Sequence, residues 1–315
     1  MESFIFDFKQ DISFTESFLA TAATAHGEQM RTKDWFLWKF RDNPFGESIL
    51  ACAKENDQII GCVAFGMQDF VYEGKVIKAA LSFETFVHPD HQGNGIFKRL
   101  IDVAETEARR RKIVFLLNFP NFQSLPGFIK SGWSNINCAE YWIRPNSLLK
   151  LILRIRELKT SFSPTLSGYV RKDIEIEELS RPDSSFKSVI NREYILWRFF
   201  KYPVAEYAVI QQDSFLTLGR VGKRGTLKEV QVLFAEDSAG RHFSVSELFN
   251  LYKKESGFDL LSFPISRKNK IRNKLMLNFF IKVPSQTNVT FKILDEDYDL
   301  DFTGLELSAI NYHTY

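Results

Sequence analysis

Val87-His88-Pro89-Asp90-His91-Gln92-Gly93-Asn94-Gly95-Ile96, followed downstream by Asn121-x-x-Ser124-x-x-x-Phe128-x-x-x-Gly132-Trp133, is the stretch on which the fold turns. Ala79 to Val87 is rich in β-formers and stops at Pro89, which lacks the N–H needed to extend a ladder. From Ile96 onward, apolar residues recur at Leu100, Val103 and Ala104, a helical spacing, and Arg109-Arg110-Arg111-Lys112 puts cations where a helix's negative end favours them. The two glycines therefore join a strand to a helix. Such a turn aims several backbone N–H groups at one point, and the helix dipole adds to their pull on negative charge. The segment is expected to cradle an anion, phosphate above all. Ile113-Val114-Phe115-Leu116-Leu117 then reads as a second buried strand.

The order of these pieces resembles the GNAT superfamily of acyl-CoA-dependent N-acyltransferases, in which a strand, a Gln/Arg-Gly-x-Gly loop and a helix hold the CoA pyrophosphate. Asn121, Ser124, Gly132 and Trp133 fall at the spacings of that family's second motif, so the resemblance covers roughly residues 30 to 145. It implies that Gln92, Gly93, Asn94, Gly95, Ile96 and Phe97 hold the pyrophosphate, with Asn121 and Ser124 contributing from the second motif. It further implies that the pantetheine arm pairs with the strand residues Thr85, Phe86 and Val87 and that a backbone N–H there polarises the thioester. Two departures stand out. Phe97 occupies a position where the family usually has Gly or Ala. Phe128 replaces a Tyr that in many relatives protonates the departing thiolate, and Phe has no proton to give.

The chain has 315 residues, 44% of them hydrophobic, and a net charge of +2. That length suits one large domain or two ordinary ones, and the charge gives no general field for nucleic acid. Cys52, Cys62 and Cys138 show neither disulfide nor zinc spacing, so a reduced, cytoplasmic setting is expected, with no metal. The amino-terminal residues lack a signal-peptide core, and no apolar run is long enough to span a bilayer.

Trp35-Phe36-Leu37-Trp38-Lys39-Phe40-Arg41-Asp42-Asn43-Pro44 aligns without gaps on Tyr194-Ile195-Leu196-Trp197-Arg198-Phe199-Phe200-Lys201-Tyr202-Pro203. Leu116 to Pro120 matches Leu260 to Pro264 in the same order. The spacing between these anchors is shorter in the second copy, and no Gly-x-Gly turn is visible there between Glu229 and His242. The expectation is a duplicated domain. The fold class is α/β with mixed sheets: a GNAT-like acyl-CoA-binding domain over 1–145, and a degenerate GNAT-like domain over 146–315 that shapes the acceptor side. Ser147 should cap a helix from Leu148 to Lys159. Its apolar stripe, lined with Lys and Arg, is read as interdomain packing in preference to a membrane-surface helix.

Acyl transfer needs an anchored acyl-CoA, a neutral amine and support for the oxyanion. Glu84, on a strand expected to be buried, is the first candidate for general base, since burial raises a carboxyl's pKa; an outward, solvated Glu is the competing reading. His88 and His91 sit at the pyrophosphate turn, where phosphate-edge or surface roles fit better. Trp133 and Trp38 are read as packing residues, and Arg267 to Lys274 as a solvated basic run that could also meet a phosphorylated acceptor. The co-substrate implied is acetyl-CoA or a longer acyl-CoA. Resemblance to bacterial GNATs of surface-polysaccharide pathways implies the amine of a nucleotide-linked amino sugar as acceptor, with a homodimer compatible. A protein or peptide acceptor, which calls for an open acidic cleft, and a non-catalytic acyl-CoA-binding module stay as alternatives.

Overall fold

The computed structural model describes residues 1–27, 31–164, 185–201, 208–212, 215–237, 244–285 and 287–312. The first half runs β1 (Glu2–Ile5), α1 (Thr15–His26), α2 (Lys33–Phe40), β2 (Ile49–Glu55), β3 (Gln58–Tyr72), β4 (Lys75–Val87), α3 (Ile96–Arg110), β5 (Phe115–Asn118), α4 (Leu125–Lys130), β6 (Ser134–Ile136) and β7 (Ala139–Pro145). After α5 (Leu148–Leu153) and a 3-10 turn over Ile155–Lys159 come β8 (Phe162–Pro164) and β9 (Phe186–Ser188). Next are α6 (Arg192–Ile195), which continues as a π turn to Phe200, β10 (Ala208–Gln212), β11 (Phe215–Arg224) and β12 (Leu227–Asp237). The chain closes with α7 (Val245–Ser256), β13 (Leu260–Ser266), α8 (Arg272–Leu277), β14 (Ile281–Val283), β15 (Val289–Ile293), β16 (Leu305–Glu306) and α9 (Ala309–Tyr312).

The expected mixed α/β architecture is present as two sheets. The first has the order β1-β2-β3-β4-β5-β15-β6, with β9 added to β3 and β16 to β9. The second has the order β10-β11-β12-β13-β7-β14, with β8 on β11. Along each main strand order one parallel pair interrupts antiparallel neighbours, β4 with β5 and β12 with β13, and the appended β16 is also parallel to β9. The helices α3 and α7 make the crossovers of the two main pairs, as a parallel pair requires.

A sequence division at 145/146 falls between β7 and α5, yet the sheets do not follow it. β7 leaves the first half to pair with β13 and β14, while β15 returns from the second half to lie between β5 and β6. Each sheet therefore receives its penultimate strand from the other half. The cores mix accordingly: Trp38, Phe40 and Cys62 share one cluster with Trp197, Leu218 and Leu233.

The duplicated strings meet face to face. Both sit on aromatic helices, α2 capped by the Thr32 hydroxyl and α6 by the Asn191 carboxamide, and the rings of Trp38 and Trp197 stack at 5.1 Å with 22° between planes. Tyr202 and Pro203 lie outside the described residues, as does 238–243, which includes part of the stretch lacking a glycine turn.

The segment after β7 differs from expectation. Ser147 caps α5, but the helix ends at Leu153 and continues as a 3-10 turn. Leu151 is buried, whereas Leu148, Leu149, Ile152, Leu153 and Ile155 are exposed, so the stripe does not pack between domains. Most of the loop read over 161–168 lies outside the described residues.

Candidate functional site

The glycine loop adopts the geometry an anion cradle needs. Gly93 and Gly95 have φ of +79° and +72°, backbone that L side chains rarely adopt, and Gly95 is the N-cap of α3 without any side-chain cap bond. The first-turn amides of α3 consequently have neither intrahelical nor side-chain acceptors. No atom lies within 4 Å of a Cβ built on either glycine, leaving open space over the turn. Gln92 and Asn94 fasten the loop from within, their amides donating to the carbonyls of Val87 (3.2 Å) and His91 (3.3 Å). Ile96 is buried beneath the helix, so its contribution to the cradle is its backbone.

The second motif packs against the first. The Phe97 ring lies so close to Gly127 that a Cβ there would stand 2.5 Å from it. Phe97 meets Phe128 edge-on at 5.3 Å, and Phe128 in turn meets Trp133 at 4.9 Å. The larger residue at 97 is thus absorbed by a glycine at 127. Phe128 is fully buried in this cluster. Asn121 acts as a local clasp: its Oδ1 accepts from the amides of Gln123 (3.0 Å) and Ser124 (2.9 Å) and from the Ser124 hydroxyl. That accounts for both side chains by turn geometry, with both residues still beside the entrance to α4.

Between the motifs, β4 parts from β5. The two pair only from Ala79–Phe115 to Ser82–Asn118, so the edge of Phe83–Val87 facing β5 has no strand partner among the described residues. At the fork, Ser82 Oγ, Thr85 Oγ1 and Asn118 Nδ2 are buried without hydrogen-bond partners. Orphaned polar atoms of this kind call for a ligand. On its other edge β4 carries a bulge: Ala64 faces Phe83 and Cys62 faces Phe86, leaving Glu84 and Thr85 opposite Val63. Glu84 has φ +44°, and a bulge of this kind leaves backbone groups outside the ladder. A free strand edge, a bulge and a glycine cradle fit an extended thioester-bearing arm ending in a pyrophosphate. The Phe86 side chain is buried against α1, with Phe18 5.1 Å away, so Phe86 can serve that arm through its backbone.

Glu84 is buried, but its chemistry differs from expectation. Its Oε1 accepts from Lys39 Nζ at 2.9 Å and its Oε2 from Arg31 Nη2 at 3.2 Å. Burial by itself raises the carboxyl, and the two cations outweigh it, holding Glu84 below the ordinary carboxylate range. A depressed carboxylate is a weak base, so the reading of Glu84 as a base with raised pKa is corrected. The complementary change falls on Lys39, which burial lowers to about 8 against the pull of Glu84. Arg31 keeps Nε and Nη1 buried without partners and lies over the Trp35 ring at 5.4 Å.

Lys39 also lines an open cleft between the repeated segments. Leu81 and Phe83 of β4 form its floor, Trp38 and Trp197 flank it, and Asn43, Gln68 and Asn311 supply amides. Arg198, the counterpart of Lys39 in the repeat, also lines it. No carboxylate lines the cleft among the described residues. Sequence reasoning missed Lys39, Arg31 and Arg198, although the aligned Trp38-Lys39 and Trp197-Arg198 pairs already matched two cations.

The second half keeps the bulge without the chemistry. Leu218 faces Phe234 and Gly219 faces Val232, which leaves Leu233 at the position Glu84 holds in the first half. From the basic run Arg272 binds the buried Glu140 of β7 at 2.8 Å, joined by Lys282 of β14 at 2.9 Å, while Arg267 and Lys270 keep exposed side chains. Among the described residues, no cluster of His, Cys, Asp or Glu is arranged to hold a metal ion, and all three cysteines are free and buried.

Residues 9–136 match the family described as Acetyltransferase (GNAT) domain. A GCN5-related N-acetyltransferase from Anabaena variabilis is similar in structure, with a TM-score of 0.61 and 11% identity over 93% of this chain and 73% of its own. Eis1 from Mycobacterium abscessus gives a TM-score of 0.58 and 11% identity over 94% and 74%. An Enterococcus faecalis protein described as a probable N-acyltransferase gives 0.57 and 8% over 93% and 73%. At these identities the likeness carries the fold. No curated protein matches the sequence. The domain match supports an acyl-CoA-dependent N-acyltransferase.

Proposed function

We propose that the chain transfers an acyl group from acyl-CoA to the amine of an anionic small molecule seated in the cleft between its halves. The observation that carries this reading is the lining of the cleft: Lys39 and Arg198 face it, and among the described residues no carboxylate does. Such a lining repels a lysine side chain or a protein N-terminus and attracts an acceptor bearing phosphate or carboxylate. Aromatic walls beside two cations favour a nucleotide-linked amino sugar, as used in surface-polysaccharide assembly. Buried, unpaired cysteines favour a reducing, cytoplasmic compartment.

The residues divide the work. The amides of Gln92 to Phe97 hold the pyrophosphate, and the free edge of Phe83–Val87 aligns the arm that carries the acyl thioester. A backbone N–H at the bulge of Glu84 and Thr85 donates to the thioester oxygen as charge builds on it. The positive potential of Arg198 and Arg31 lowers the pKa of an amine bound beside them and so favours its neutral, nucleophilic form. As the C–N bond forms and the C–S bond breaks, Lys39 in its neutral form takes the amine's proton. Glu84 then stabilises the resulting ammonium. Phe128, locked in the core, takes no part in protonating sulfur.

Thiol release should be measured with acetyl-CoA and longer acyl-CoAs across nucleotide-linked amino sugars, amino acids and basic peptides. Turnover with the anionic acceptors supports the reading. CoA binding without thiol release from any amine, or turnover confined to basic peptides, overturns it.

A further inference from the structure

Nine of the fourteen large apolar side chains exposed among the described residues belong to two short segments, 148–155 and 276–281. Leu153 and Phe279 are 73% and 81% exposed. The segments meet at the free edge of the second sheet. β14 is its last strand, and Ile281 pairs with Ile143 of β7, two residues before that strand ends and the chain turns into α5. Leu151 of α5 and Val283 of β14 join one small cluster with Ile143, so α5 lies across the same face that Ile281 occupies.

Charge gathers at the same place. Residues 148–159 and 272–282 hold seven lysines and arginines against one glutamate, a net +6 in a chain whose total is +2. Glu140 and Asp259 pair with Arg272 and Lys150, and including them still leaves the region at +4. Exposed apolar side chains clustered along one sheet edge mark an interaction site. A cationic border around it selects an anionic partner with an apolar interior.

We propose that this edge docks on an anionic lipid bilayer, with Leu148, Leu149, Leu153 and Phe279 entering the headgroup–acyl boundary while Lys150, Arg154, Arg156 and Lys159 meet lipid phosphates. The arrangement is that of an interfacial helix: short, apolar on its outer face and basic along its margins. Among the described residues no helix is long and apolar enough to cross the membrane, so attachment is peripheral and salt-sensitive.

The test is co-sedimentation of the full chain with vesicles of phosphatidylcholine alone and of equimolar phosphatidylcholine and phosphatidylserine. Binding to the anionic vesicles should weaken about tenfold or more in a Leu149→Glu/Leu153→Glu/Phe279→Glu variant, since each buried side chain and each repelled charge adds to the loss. An Arg156→Glu/Lys159→Glu variant should also bind more weakly. Circular dichroism and CoA affinity should stay unchanged in both. Absence of sedimentation with either vesicle overturns the proposal. So does binding that salt abolishes and the apolar variant leaves intact. A wild-type dimer in equilibrium sedimentation that the apolar variant dissociates assigns the surface instead to a second copy of the chain.

Discussion

Trp38 and Trp197 each donate their indole N–H to the other's backbone carbonyl, at 2.8 and 2.9 Å, while their rings stack. The exchange is symmetric because the two residues are equivalents in the repeat, 159 positions apart. It pins together the two helices that present Lys39 and Arg198 to the cleft. Trp197→Phe removes one of the two exchanged hydrogen bonds, a loss of about 0.5–1.5 kcal/mol. Denaturant unfolding should show a lower midpoint with an unchanged slope; unchanged stability would mean water replaces the bond at no cost.

Glu84 answers two buried cations at once. Glu84→Gln removes the carboxylate to which Lys39 and Arg31 are both paired, and stability at neutral pH should fall by about 3–5 kcal/mol. A Glu84→Gln/Lys39→Met double variant should recover much of the loss, because it removes one of the stranded charges. If the single variant unfolds like the wild type, the pair is not the buried unit described.

The pH dependence follows from Lys39, lowered in the folded chain from 10.5 to about 8. Between those values the unfolded chain binds a proton that the folded chain does not, so this group makes stability rise with pH across the window. Below about 8 Lys39 is charged in both states and its penalty is fully present. Acyl transfer should climb through the same inflection as Lys39 loses its proton. Lys39→Arg, charged at every pH, should flatten the climb; an identical profile in that variant would remove Lys39 from the proton path.

Gly95 and Gly127 are needed for different reasons. Gly95→Ala meets no neighbour but must hold a left-handed backbone, a cost of about 1–2 kcal/mol that should appear as weaker CoA binding in calorimetry. Gly127→Ala collides with Phe97 and should cost about 1–3 kcal/mol of stability. Adding Phe97→Leu should restore part of it, and a double-mutant cycle with no coupling would contradict the contact.

The parts of the site that were legible are those encoded within a few dozen residues. Gly93 and Gly95 announce a strand-to-helix turn because few other residues hold that backbone, and the spacing from Asn121 to Trp133 marks the turn that packs on it. What escaped was built from a distance. Burial of Glu84 could be foreseen, but its partners stand 45 and 53 positions earlier, and without them the direction of its pKa comes out reversed. The exposure of Leu148 to Ile155 had the same origin, since an apolar stripe says that a helix has a face and leaves open what covers it.

The exchange of β7 and β15 sets the order in which this protein can become itself. Synthesis delivers the glycine loop, α3 and β5 first, but the strand that lies between β5 and β6 is Val289–Ile293, made only after β10 to β14 of the second sheet. Until it arrives, β5 and β6 carry unpaired edges and Phe115 lacks part of its cover, the condition in which nascent sheets associate with the wrong partner. The acyl-CoA half cannot mature ahead of the other. A stop codon anywhere before residue 289 removes the strand that both β5 and β6 pair with, even though every residue of the glycine loop has already been made.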